Sequence, residues 1–132
     1  MKRFGLPAGE RIKSRTDFEN IYGSGRVIIS NDKKMKAVYL IDKQSETGNI
    51  KIAAVASSKA GNAVWRNHVK RLIRVSYRLN KENLFNLCLL KNLVLKIIFS
   101  PYRLNEKTSR LVMIDDLLPG VKDVLVKIER SL

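Results

Sequence analysis

Between positions 62 and 80 the chain carries a pattern that a helix with two opposed faces satisfies and a strand does not. At about 100° per residue, Trp65, Val69, Leu72, Ile73, Ser76 and Leu79 fall on one stripe roughly 120° wide. Arg66, Lys70, Arg71, Arg74 and Arg78, with Asn67 among them, fall on the opposite arc, and no acidic residue shares it. The stripe demands a core to bury it. The arc demands something else, because like charges stand four apart at 66/70, 70/74 and 74/78 and weaken the helix unless an anion neutralises them. A merely solvated face would mix Glu with Lys at that spacing. Four of the five cations are Arg, whose forked guanidinium suits phosphate and stacks on bases. The helix reads as a polyanion-binding element seated on a globular core.

The charge of the whole chain points the same way. Of 132 residues, 26 are Lys or Arg and 12 are Asp or Glu, a net charge of +14. Residues 51–81 hold eight of those cations and none of the acids, so nucleic acid is the expected partner. A single Cys (Cys88) allows no internal disulfide, and with a single His (His68) it is too few soft ligands for a zinc site. The longest apolar stretches, 84–90 and 93–99, fall far short of the ~20 residues of a membrane span, and the first ten residues lack an apolar signal core. A cytoplasmic protein with no membrane partner is expected, folded as a single domain over 1–132.

Around the basic helix, local signals place the other elements. Ser14-Arg-Thr-Asp17 ahead of Phe18, Ile21 and Tyr22 predicts a short amphipathic helix over about 16–22, ended by Gly23 and Gly25. Three β-rich runs, 26–30, 35–41 and 50–56, are separated by Asn31-Asp32 and by Glu46-Thr-Gly-Asn49, and an antiparallel meander is their simplest arrangement. Asn62 stands where it can cap the basic helix. Residues 84–90 are apolar but poor in β-branched residues, which leaves helix and strand both open. Residues 93–100 read as a buried strand stopped by Pro101. Asp115 or Asp116 then caps a last helix to about 130, with Pro119 in its first turn.

The string Ser57-Ser-Lys-Ala-Gly-Asn-Ala-Val-Trp-Arg-Asn-His-Val-Lys-Arg-Leu-Ile-Arg74 resembles the signature of the bacterial ribonuclease P protein component. Ser57, Lys59, Gly61, Asn62, Ala63, Val64, Arg66, Asn67, Lys70, Arg71 and Arg74 are all in place. Upstream, Leu6-Pro and residues 11–22 are similar to that family's first helix with its paired aromatics. The chain departs from the pattern at Ser58, where Lys is usual, at Ala53, often Gly, at Val75, usually Glu, and at His68, which replaces the second Arg of an Arg-Asn-Arg triplet. His68 lies beside the apolar stripe, so a packed boundary residue is as good a reading as an RNA contact.

The resemblance implies an α+β fold of order α-β-β-β-α-β-α, like the second domain of ribosomal protein S5. It includes a left-handed crossover from the third strand through the basic helix to the fourth, against the general preference for the right hand. It further implies that Lys59, Arg66, Asn67, Lys70, Arg71 and Arg74 contact the catalytic RNA. Arg11, Phe18 and Tyr22 would contact the single-stranded 5′ leader of precursor tRNA, with Tyr39 lining the same cleft. The chemistry would belong to the RNA and its Mg2+ ions, making this chain the non-catalytic subunit of an endoribonuclease, with no obligate protein partner. The physics is compatible, since an unpaired leader exposes base faces on which aromatics one helical turn apart can stack. Ordinary core packing is the other role open to Phe18 and Tyr22.

Three rival readings share some of these features. A structural or ribosomal-type RNA-binding protein would have the charge and the basic helix without a leader cleft. A protein nuclease needs clustered acid–base groups or metal ligands, and the one adjacent acid pair, Asp115-Asp116, is explained by helix capping. A helix-turn-helix module needs a second short helix just before position 62, where the sequence reads as strand and loop.

Overall fold

In each strand, alternate side chains are sent to opposite faces of the sheet, and here both faces are used. The structure, a computed structural model, describes residues 8–42 and 47–132. Leu6-Pro and Glu46 of the expected turn lie outside those residues. A 3-10 turn, Ala8–Glu10, leads to α1 (Arg15–Ser24), β1 (Arg26–Ile29), β2 (Met35–Asp42) and β3 (Asn49–Ala54). Then come α2 (Ala63–Asn80), α3 (Glu82–Lys91), β4 (Val94–Pro101) and α4 (Ile114–Ser131). The apolar run at 84–90 is therefore helical, as its unbranched Leu residues favour, and the order becomes α-β-β-β-α-α-β-α. Asn92 closes α3 in the left-handed conformation at φ 53°, its N–H donating to the carbonyls of Cys88 and Leu89.

The sheet order is β1-β2-β4-β3, which corrects the expected meander. β2 runs antiparallel to β1 and to β4, while β3 runs parallel to β4. The reason lies in β4: Leu95, Ile97, Ile98 and Phe99 are buried on both faces, so this strand belongs in the middle. A parallel neighbour needs a long crossover, and α2 with α3 supplies it.

On one face Ala37, Tyr39, Ile50, Ile52, Leu95, Ile97 and Phe99 meet Trp65, Val69, Ile73 and Tyr77 of α2 and Leu117, Val121, Val124 and Ile128 of α4. On the other, Val38 and Ile98 pack with Ile12 and with Ile21 of α1, and Phe18 covers their edge. Each fully buried side chain of this kind contributes about 2 kcal/mol of transfer free energy. α4 starts two or three residues earlier than expected, with Met113 rather than Asp115 or Asp116 as its N-cap, so Pro119 falls in the second turn. Asp116 serves the cap from inside the helix, its carboxylate accepting the Met113 N–H at 2.8 Å. Gly120 lets α4 approach the β1–β2 turn, where a Cβ would stand 3.0 Å from that of Met35.

Candidate nucleic-acid interface

The buried stripe of α2 differs from the helical projection at its C-terminal end. Val69, Ile73 and Tyr77, spaced four apart, are each completely buried, while Leu79 is 66% exposed. Tyr77 takes its place because the end of α2 leans onto β4, bringing the Tyr77 and Phe99 rings to 6.1 Å between centroids. With the stripe anchored in this way, Arg66, Lys70, Arg74 and Arg78 are half-buried, and Asn67 and Arg71 are exposed.

The signature loop and the start of α2 are held by a second segment, the 102–113 linker. Asn62 caps α2 by accepting the Trp65 N–H on Oδ1 at 2.8 Å. Its own backbone N–H and Nδ2 donate to the two carboxylate oxygens of Glu106, at 2.9 and 3.2 Å. Trp65 Nε1 donates to the carbonyl of Ser109 at 3.0 Å, and His68 Nε2 bonds the Val112 carbonyl at 2.6 Å. His68 is thus the half-buried boundary residue that its position beside the stripe allowed. Gly61 has no room for a side chain, since a Cβ would lie 2.7 Å from the Trp65 ring. Arg66 Nε donates to the Gly61 carbonyl at 3.1 Å, which fixes the root of the guanidinium and leaves its other donors for an external acceptor. Lys59 is exposed in the loop itself.

Arg11 joins this surface from the N-terminal side. Its neighbours are pinned along the outer edge of β3: Ile12 N–H donates to the Ile52 carbonyl at 3.0 Å, and Lys81 pairs with Glu10 at 2.6 Å. Arg11 is exposed, and its charge, after burial, is the second cause that lowers the pKa of Arg74. Residues expected to serve two different ligands therefore feel each other's charge.

The α1 face of the sheet holds the aromatic pair. Tyr22 is 56% exposed, while Phe18 is half-buried against the second core cluster. Lys96 of β4 donates to Asp17 of α1 at 3.0 Å, and Lys51 stands opposite Lys96 in the strand register on the same face. Asp17 offsets the repulsion that like charges so paired would otherwise feel. Tyr39 does not line this cleft, which corrects the expectation. It is 3% exposed on the α2/α4 face, with its hydroxyl 2.9 Å from Ser131 Oγ. The pleat decides this, because Val38 and Leu40 occupy the α1 side.

With that geometry in view, the comparisons are specific: the sequence model of the family described as Ribonuclease P matches residues 6–110. The chain belongs to this family. Among relatives named ribonuclease P protein component, that of Geotalea uraniireducens is 37% identical over 82 residues, covering 62% of this chain and 68% of its own. That of Porphyromonas gingivalis is 27% identical over 130 residues, covering 98% and 85%. The fold is similar to the RNase P protein of Staphylococcus aureus, with TM-score 0.66, 22% identity, and 92% and 95% of the two chains covered. It is also similar to that of Thermotoga maritima, at TM-score 0.64, 20% identity, and 92% and 96% coverage.

Within a ribonuclease P protein, the sequence signal for the α2 face was strong because one helix carries it. Glu106, Lys51 and Lys96 had no such signal: each acquires its place only when a distant segment docks against it. Among the described residues no three His, Cys, Asp or Glu side chains come together as a metal-binding group, and no helix is long and apolar enough to cross a membrane.

Proposed function

We propose that this protein is the RNA-binding subunit of a ribonuclease P holoenzyme. In this reading Lys59, Arg66, Asn67, Lys70, Arg71 and Arg74 grip the catalytic RNA. Tyr22 and the open side of Phe18, with Arg11, hold the unpaired 5′ leader of precursor tRNA. Bond cleavage belongs to the RNA and the Mg2+ ions it binds, while Asp116 is engaged in capping at Met113 and Asp17 in an ion pair with Lys96.

The observation that carries the reading is the acid-free arc of α2, held rigid from beneath by Val69, Ile73 and Tyr77 and from the side by the linker. A fixed row of cations releases counterions from RNA without first having to be ordered. The test is reconstitution with a bacterial ribonuclease P RNA and precursor tRNA. Added protein is expected to lower the Mg2+ concentration needed for cleavage, and protein without RNA is expected to leave the substrate intact. An unchanged Mg2+ requirement despite tight RNA binding would favour a purely structural RNA-binding protein.

A further inference from the structure

The linker between β4 and α4 turns its residues two ways. Inward, Leu104 is buried, Glu106 N–H donates to the Ala60 carbonyl at 2.7 Å, and the Glu106 carboxylate takes both donors of Asn62. The Ser109 carbonyl accepts from Trp65, so the segment is fastened to the first turns of α2 at several points. Outward stand Arg103, Lys107 and Arg110, all exposed. Glu106 is the one acid among residues 102–110, its carboxylate turned to Asn62, and against Arg103, Lys107 and Arg110 it leaves the segment a net charge of +2. What this segment presents to solvent is therefore cationic.

Two further details mark the surface. Arg103 sits at φ 53°, a conformation that Gly or Asn adopts more readily, and its guanidinium lies 5.3 Å from the centroid of the Tyr102 ring. Lys107 and Lys59 line one open cleft of about 640 Å³ between the linker and the signature loop. A phosphate in that cleft would meet Lys59 from one wall and Lys107 from the other, with the Glu106 carboxylate between them turned to Asn62.

We infer that residues 102–110 form a second RNA-backbone contact, in which Lys107 and Arg110 extend the surface that begins at Lys59. The inference rests on the reading of α2 as an RNA-binding face. Because the linker and α2 are hydrogen-bonded together before RNA arrives, their cations present one ordered array, and their counterion-release contributions add.

The experiment compares the double variant Lys107→Gln/Arg110→Gln with Arg74→Ala, in binding to a transcribed bacterial ribonuclease P RNA at several KCl concentrations. Both linker side chains are exposed, so an unchanged thermal midpoint certifies the fold. The double variant is expected to bind roughly tenfold more weakly near physiological salt and to make the slope of log affinity against log salt shallower by about 1.5 to 2. If its slope is that of the parent while Arg74→Ala is shallower by about one, the linker contact is overturned and the α2 reading stands. If neither variant changes the slope, both are overturned.

Discussion

Arg11 and Arg74, from the N-terminal segment and from α2, stand close enough that the charge of Arg11 joins burial in drawing the Arg74 guanidinium below its usual range. Arg74 stays protonated at neutral pH. The repulsion nevertheless makes the pair better satisfied with an anion beside it than without one. This relationship ties the α1 side of the molecule to the basic helix, and the ion pair of Glu10 with Lys81 maintains it.

One phosphate near that pair would serve both guanidinium groups. Arg11→Ala and Arg74→Ala are each expected to weaken RNA binding, and together to cost less than the sum of their separate effects, by about 0.5 to 1 kcal/mol. A double-mutant cycle on RNA affinity measures this. Strict additivity would assign the two side chains to separate contacts.

Tyr22 and Phe18 are expected to part company. Tyr22→Ala should weaken binding of precursor tRNA by about 1 to 3 kcal/mol, leaving stability within about 0.5 kcal/mol of the parent. Phe18→Ala should also lower stability, by roughly 1 to 3 kcal/mol, because the ring packs on Ile21 and Val38. Holoenzyme affinities for tRNAs with and without a leader, at saturating protein, give the comparison. An equal loss for both tRNAs would remove Tyr22 from the leader site.

Tyr39→Phe tests the reassignment of that residue. It deletes the hydroxyl that meets Ser131 at the end of α4, and about 1 kcal/mol of stability should go with it. Leader affinity should not change. A selective loss of leader binding at parental stability would return Tyr39 to the cleft.

Gly61→Ala places a methyl group 2.7 Å from the Trp65 ring and 3.0 Å from Glu106 Cβ. Overpacking there should cost about 1 to 3 kcal/mol in urea unfolding. Because the displaced groups are the clamp on α2, RNA affinity should fall alongside stability. Parental stability would mean that the linker yields easily.

Stability should decline at alkaline pH. Burial pushes the Cys88 thiol up to about 11, and Tyr77 is raised first by burial and then by the charge of Glu10. Both groups keep protons in the folded state that the unfolded chain releases near pH 9 to 10, so stability is complete below that range and falls as pH rises through it. Cys88→Ala should flatten the fall between pH 9 and 11 by on the order of 2 kcal/mol, after allowance for its cost at pH 7. Denaturant midpoints at the two pH values give the slope, and an identical fall in the variant would refute the thiol's part in it.

The α2 face was legible in the sequence because helical geometry alone decides which residues share a side, and eight cations without an acid in residues 51–81 call for an anionic partner. The same local rule placed α1 and α4 to within a turn and put His68 at a boundary. It failed at Leu79 and Tyr77, where the choice between two flanks of a stripe depends on how the helix leans on β4. It also stopped at residues 84–90, whose composition suits two conformations until tertiary packing selects one.

Strand order and strand face lay beyond it. A run of alternating residues states which side chains travel together, but not which side meets α1. Tyr39 went to the α2/α4 core because Val38 and Leu40 took the other face. β4 entered between β2 and β3 by pairing antiparallel with one and parallel with the other, contacts between segments more than 40 residues apart in sequence. The sequence by itself determined the periodic helices, the sign and concentration of charge and the signature that carries the family. Arg11 comes within electrostatic reach of Arg74, and Glu106 holds the head of α2, only when distant segments dock, and no local pattern encodes either.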